Sequence, residues 1–237
     1  MTATLSRNGL DIAVLGGAEP DGPLLLGLAQ LAEAADLARL AWNGETMALR
    51  RPPVQVFGKA EVAPPPGAFL QATLEGEAAL QATVSEIVSE ASAIVDLFSG
   101  CGTFALPLAG TARVHAIEGD AEMIRALEKG WRNSTGLKRV TAETRDLYRN
   151  PLVGDEFNGF DACVIDPPRA GAEAQVANLA ESGVGVIAFV SCNPTTFARD
   201  AAYMVRAGYT LDWVQVVDQF RWSSHVELVG KLTLTSA

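Results

Sequence analysis

At 237 residues with 49% hydrophobic side chains, the chain has material for one large domain, or one domain plus an appendage, around a buried core. No apolar run approaches the roughly 18 residues of a membrane span, and no secretory apolar region follows Arg7. A formal net charge of −10 repels a phosphate backbone unless positive charge is locally concentrated, which excludes strong unaided RNA binding by the surface as a whole.

Cys101, Cys163 and Cys192 are scattered and form neither a zinc or iron–sulfur motif nor a disulfide framework. The chain is therefore expected to be soluble, cytoplasmic and monomeric, with no membrane contact, metal or iron–sulfur cluster. Its one basic concentration runs from Arg125 through Lys129, Arg132, Lys138, Arg139 and Arg145 to Arg149. Interspersed acids make a solvated surface the plainer reading there, and an RNA-facing patch the sharper one.

Residues 1–67 read as a small α+β appendage. GLDIAVLG is strand-like, GAEPDGP is a turn, and LLLGLAQLAEAADLARL is a helix candidate rich in Leu and Ala. ARLAWNG and ETMALR flank Asn43-Gly44, a common hairpin-turn pair. Pro64-Pro65-Pro66-Gly67 breaks helix and sheet alike and marks the start of a second domain over 68–237. LEGEAALQATVSEIVSEAS then reads as a helix.

From IVDLF onward, apolar runs alternate with helical stretches. VHAIE precedes AEMIRALEKGWRNS, and FDACVID and VGVIAFVS continue the series. This pattern predicts an open, mainly parallel, Rossmann-like α/β sheet covered by helices on both faces. TLDWVQVVDQF and HVELVGKLTL predict an antiparallel C-terminal hairpin at one edge.

The chemistry-bearing residues sit where those strands end. Asp96-Leu97-Phe98-Ser99-Gly100-Cys101-Gly102 closes a strand with a glycine turn, and Glu118 closes the next strand, placed to accept hydrogen bonds from the hydroxyls of a ribose. A methyltransferase, a nicotinamide or flavin enzyme, and a mere tight turn all fit the glycines. Asp96 favours the first, since it would repel a pyrophosphate yet can accept from a methionine ammonium. Cys101 reads as a wall of the cofactor pocket.

Asp166-Pro167-Pro168-Arg169 is a stiff strand exit that fixes an acidic side chain in the crevice, or simply a rigid turn. Cys192 follows the next strand within Ser191-Cys192-Asn193-Pro194; there it could pack inertly, or be activated by the following helix N-terminus. His225 and Glu227 share one face of the last hairpin by the period of two, and can form a proton-handling pair or a solvated one.

Taken together, AFLQAT, DLFSGCGTFALPLA, VHAIEGD, DPPRAG, VSCNPTTFARD and DQFRWSSHVE resemble the RNA 5-methyluridine (uracil-C5) methyltransferase family. The resemblance covers about residue 68 to the end and, weakly, the earlier appendage. It implies S-adenosylmethionine as methyl donor and a ribosomal or transfer RNA as substrate, weakly held by this chain alone. It also implies that Gln71, Phe98, Glu118 and Asp166 contact the donor or frame the crevice, with Asp146 near the adenine. Cys192 matches the family's nucleophile and Glu227 the residue that removes the C5 proton.

Two departures stand out. The family's usual N-terminal RNA-binding barrel and four iron–sulfur cysteines are not encoded, which implies a shortened chain or a reduced family member. Arg221 and Ser223 replace a usual proline and threonine, which puts the loop's shape in question; Trp222 between them could stack on a base or plug a gap. A catalytically silent RNA-associated or scaffold module and a nucleotide-cofactor oxidoreductase remain as alternatives.

Overall fold

The computed structural model describes residues 1–220 and 222–235. The N-terminal part comprises β1 (Thr2–Ser6), β2 (Gly9–Val14), α1 (Gly22–Ala34), β3 (Arg39–Trp42) and β4 (Glu45–Leu49). They form one sheet in the order β1-β2-β3-β4, in which β2 and β3 run parallel because α1 crosses between them. Asp21 caps α1 by accepting from the Leu24 N–H at 2.8 Å. The β3–β4 turn is the expected one, with Asn43 and Gly44 both left-handed at φ 51° and 88°. Opposite each other on β2 and β3, Asp11 and Arg39 form a buried two-pronged ion pair at 2.6 and 2.9 Å.

A short hairpin, β5 (Gln55–Phe57) and β6 (Ala60–Val62), was not foreseen, being only three residues per strand. It precedes the Pro64–Gly67 stretch, yet Phe57, Ala60 and Val62 are buried in the larger core. Gly130 admits this contact: a Cβ there would stand 2.6 Å from Val62.

The larger part continues through α2 (Leu74–Ile87), β7 (Ala93–Leu97), α3 (Ala105–Leu108), β8 (Arg113–Glu118), α4 (Ala121–Arg132), β9 (Val140–Thr144), β10 (Ala162–Ile165), α5 (Glu173–Ala180), β11 (Val186–Ser191), α6 (Pro194–Arg206), β12 (Tyr209–Val217) and β13 (Glu227–Leu234). Its seven-stranded sheet has the order β12-β13-β11-β10-β7-β8-β9. Strands β7 to β11 are parallel, as their near-continuous apolar runs predict for a sheet covered on both faces. Strand β9, half-exposed at the edge, has no such run and was not anticipated.

Alternate residues feed two cores. Ile94, Val164 and Val190 face Leu80 and Val84 of α2 and Leu127 of α4, whereas Val95, Ile165 and Phe189 face α5 and α6. The C-terminal hairpin is antiparallel as expected, with β13 inserted between β11 and β12. Strand order reverses between β7 and β10, which opens a crevice beyond their carboxyl ends. No described helix is long and apolar enough to cross a membrane.

Candidate active site

The crevice is a cavity of about 650 Å³. Its wall brings together Gln71, Phe98, Gly100, Glu118 and Asp146 on one side with Asp166, Cys192, His225 and Glu227 on the other. Residues far apart in the chain meet here because β7, β8, β10, β11 and β13 all present their site-bearing ends to one edge of the sheet.

Local backbone shapes the first side. Phe98 takes φ 62°, a conformation costly for a bulky side chain, and its ring meets Tyr148 at 5.5 Å. Gly100, at φ 56°, would point a Cβ into open space. Glu118 holds this turn by accepting from the Gly100 and Asp120 N–H groups, both at 3.0 Å, and each of its oxygens keeps a free lone pair. Asp146 accepts from the Tyr148 N–H at 3.0 Å, which fixes the loop opposite.

Gly102, Cys101 and Asp96 do not reach the cavity wall. Gly102 serves packing, since a Cβ there would lie 2.7 Å from Leu106. Cys101, read as a pocket wall, points into the core, and burial pushes its thiol up to about 12. Asp96 is fully buried behind the turn, with both carboxylate oxygens unpartnered. Burial, then the neighbouring Asp166, push its carboxyl well above the ordinary range; the Ala105 backbone dipole opposes this without closing a hydrogen bond.

On the second side, the turns after β10 and β11 are tied together. Asn193 caps α6 by accepting from the Thr195 N–H at 3.0 Å, and its amide donates to the Arg169 carbonyl at 3.0 Å. This joins the Asp166–Arg169 turn to the Cys192 turn. Ser191 lies opposite Leu228 in the β11–β13 ladder, so Cys192 and Glu227 are the next residues beyond that rung.

Electrostatics bear on one expectation. Of the two readings of Cys192, inert packing or activation by the helix N-terminus, the free protein shows no lowered thiol: it is raised above its ordinary 9.0 by burial, then by Glu227 and Asp166. Arg169 opposes the rise. Glu227 is itself pushed up to about 7 by burial, and Asp166 to about 7 by burial and by Glu227. Asp166 is walled by protein on most sides but keeps an opening to the cavity, so it remains accessible.

His225 lies in the connection just before β13, outside the strand whose period was to pair it with Glu227. It still faces the cavity, with its ring against Phe220 at 6.1 Å. Ser223, at the usual threonine position, accepts from the His225 N–H at 3.1 Å. Arg221 lies outside the described residues. Trp222 is fully exposed at φ 68°, so it plugs no gap. Gln219, which no sequence feature marked, binds Gln71 in the cavity wall.

The basic stretch is largely ion-paired: Arg125 with Glu122, Arg132 with Glu128 at 2.7 Å, Arg145 with Glu156 at 2.6 Å and Arg149 with Asp146 at 3.5 Å. That favours the solvated-surface reading over an RNA footprint.

A family model described as tRNA (Uracil-5-)-methyltransferase matches residues 67–234. The chain belongs to this family. Membership in the tRNA (Uracil-5-)-methyltransferase family removes the oxidoreductase reading of the glycine turn. An uncharacterized RNA methyltransferase of Mesorhizobium japonicum is 47% identical over 98% of this chain and 56% of its own length. A 23S rRNA (uracil(1939)-C(5))-methyltransferase of Acinetobacter baylyi is 42% identical over 58% of this chain and 30% of its own. Among solved structures, the Pyrococcus abyssi tRNA (uracil-54, C5)-methyltransferase in complex with S-adenosyl-L-homocysteine aligns with a TM-score of 0.74 and 26% identity. That alignment covers 94% of this chain and 56% of that one. The chain thus spans about half the length of the curated relatives it matches most fully, 56% for the Mesorhizobium protein.

Proposed function

We propose that this chain is the methyl-transferring part of an RNA (uracil-C5) methyltransferase, with S-adenosylmethionine as donor and a uridine of ribosomal or transfer RNA as acceptor. The observation that carries this reading is the convergence of Cys192, Asp166 and Glu227 in the same cavity as the glycine turn and Glu118. The names of the Acinetobacter and Pyrococcus proteins, and the S-adenosyl-L-homocysteine bound to the latter, support it.

The cavity fits the donor. Phe98 and Tyr148 offer an apolar aromatic wall to an adenine, the free lone pairs of Glu118 suit ribose hydroxyls, and Gly100 leaves space against the turn. Bound S-adenosylmethionine supplies an electrophilic methyl group.

Uracil C5 is a weak nucleophile until something adds at C6. The Cys192 thiolate adds to C6, and the displaced electron pair makes C5 an enolate carbon that takes the methyl as the methyl–sulfonium bond breaks, its electrons staying on sulfur in the departing thioether. Glu227 then removes the C5 proton; the electrons of that C–H bond re-form the C5–C6 double bond, and the C6–S bond breaks to release Cys192. Arg169 favours the thiolate electrostatically. Asp166 exchanges its proton at about 7, so it can donate to or accept from the pyrimidine edge. His225, which lines the same cavity as Glu227, offers a route for that proton to solvent.

The uridine must leave its stack to reach Cys192, so an unpaired or loop uridine is the substrate. With a net charge of −10, this chain holds RNA weakly and salt-sensitively. Trp222 offers an exposed face on which a neighbouring unpaired base can stack. Incubation with S-adenosylmethionine and 5-fluorouridine-substituted transfer and 23S ribosomal RNA tests the reading, because fluorine does not leave C5 as a proton does. A covalent adduct mapped by mass spectrometry to Cys192 is expected; an adduct at Cys101 or Cys163 rejects the mechanism.

A further inference from the structure

Gln219 lies in the connection between β12 and β13, nearly buried, and reaches across to the segment preceding α2. Its Oε1 accepts from the Thr73 N–H at 3.2 Å and from Thr73 Oγ1 at 3.5 Å, and its Nε2 donates to Gln71 Oε1 at 2.9 Å. The two ends of a side-chain amide are told apart by their partners. Here a backbone N–H decides, because it can only donate. The oxygen of Gln219 must face Thr73, so its NH₂ faces Gln71, and Gln71 must answer with its own oxygen. What Gln71 retains for the cavity it lines is its NH₂, a donor.

The surroundings are shaped to this contact. A Cβ on Gly76 would run into the Gln219 side chain, and Thr73 at the same time caps α2 by accepting from the Gly76 N–H at 3.0 Å. The clamp also joins two walls of the cavity. One of its arms belongs to the segment with Phe69, Leu70 and Gln71, the other to the connection with Phe220 and His225.

We propose that Gln219 is a positioning residue that holds Gln71 as a hydrogen-bond donor toward the cavity, and so selects a ligand with an acceptor oxygen at that point. The identity of that oxygen rests on the proposed function: a carboxylate oxygen at the amino-acid end of the methyl donor, or a carbonyl oxygen of the pyrimidine. With Gln71 turned over, its carbonyl would face that oxygen and repel it.

Two substitutions separate orientation from packing. In Gln219→Glu the introduced carboxylate still accepts from Thr73 but offers Gln71 only oxygens, so Gln71 turns its NH₂ toward that carboxylate and its carbonyl toward the cavity. Gln219→Met keeps the volume and leaves Gln71 unconstrained. Calorimetry with S-adenosylmethionine and with its decarboxylated analogue is compared with KM and kcat on transfer and 23S ribosomal RNA transcripts. Gln219→Glu is expected to lose about tenfold in one ligand's binding, and Gln219→Met less. A loss confined to S-adenosylmethionine and absent for the decarboxylated analogue identifies the carboxylate; a raised KM for RNA with donor affinity kept identifies the pyrimidine. Unchanged constants in Gln219→Glu, or equal damage from both variants, overturns the proposal. Side-chain amide ¹⁵N spectra of the ligand-free proteins read the Gln71 orientation directly, with its NH₂ signals expected to move most in Gln219→Glu. Failure of the wild-type chain to bind the donor would count against the proposed function, while those spectra alone would still uphold or overturn the clamp.

Discussion

Cys192 and Glu227 leave adjacent antiparallel strands at the same rung, one residue beyond the Ser191–Leu228 pair, and the carboxylate raises the pKa of the thiol. Burial is the larger cause and Glu227 the second. Glu227→Gln removes the second cause only. Its Cys192 thiol should titrate lower than in the wild type, and iodoacetamide at about pH 8 should alkylate it several-fold faster, as read by peptide mass spectrometry. An unchanged rate would show that Glu227 does not act on that thiol.

Catalysis should rise with pH for the same reason. On the proposed mechanism, Glu227 must be ionised to accept the C5 proton and Cys192 must be ionised to attack. Release of methylated RNA over multiple turnovers should therefore increase through about 7 as Glu227 loses its proton, and keep increasing toward the raised thiol pKa above 9.0. A profile that falls over this range, with the protein shown to stay folded, would contradict these roles.

Glu227→Gln should also change what accumulates. Addition at C6 and methyl transfer do not need Glu227, whereas elimination does. With ordinary uridine-containing RNA the variant should hold a methylated covalent adduct and release little product, visible as a slow-migrating band in denaturing gels. Cys192→Ala should form no adduct and keep its affinity for S-adenosylmethionine. Efficient turnover by Cys192→Ala on the same RNA would remove the covalent step.

Glu118→Ala should weaken S-adenosylmethionine binding by about 1.5–3 kcal/mol, because charge-assisted hydrogen bonds to the ribose are lost together with the two that hold the glycine turn. Calorimetry at constant temperature measures this, and thermal melting separates it from unfolding. Unaltered affinity would place the ribose contact elsewhere.

Glu77 on α2 carries a stability prediction. Burial pushes its carboxyl up to about 7 from an ordinary 4.5, while Gln81 donates to it at 3.1 Å. The folded state therefore keeps a proton that the unfolded state has released across that window, so this group's contribution to stability falls as pH rises from 4.5 to about 7. Glu77→Gln should raise the melting temperature by roughly 2–4 °C at about pH 8 and leave it nearly unchanged at about pH 4. Equal effects at the two pH values would show that the carboxyl is not held neutral.

Much of this architecture was legible in the residues because its signals are local. The short stretches IVDLF and VGVIAFVS, alternating with helical ones, read as strands of a sheet covered on both faces, Asn43-Gly44 as a tight hairpin turn, and Asp166-Pro167-Pro168 as a stiff strand exit or rigid turn. The chain order of glycine turn, Asp166 and Cys192 then placed them at strand ends, whereas Glu227, read within the last hairpin, is the first residue of β13. Strand β9 and the β5–β6 hairpin escaped because a short, half-exposed strand lacks both a long apolar run and a clean alternation.

Sequence alone thus determined which reactive side chains the strands carry, since residue type and position along a strand are properties of the chain. Tertiary structure decided how each is poised. Whether Cys101 points into a core or a cavity depends on one turn's dihedral angles. Whether Cys192 is acidified by a helix or held protonated depends first on burial and then on two carboxylates, brought near it by strands that pair from distant parts of the chain. The donor face of Gln71 depends on Gln219, 148 residues away. Fields, burial and amide orientation are set by neighbours in space, and the neighbours are known only once the sheet has closed around them.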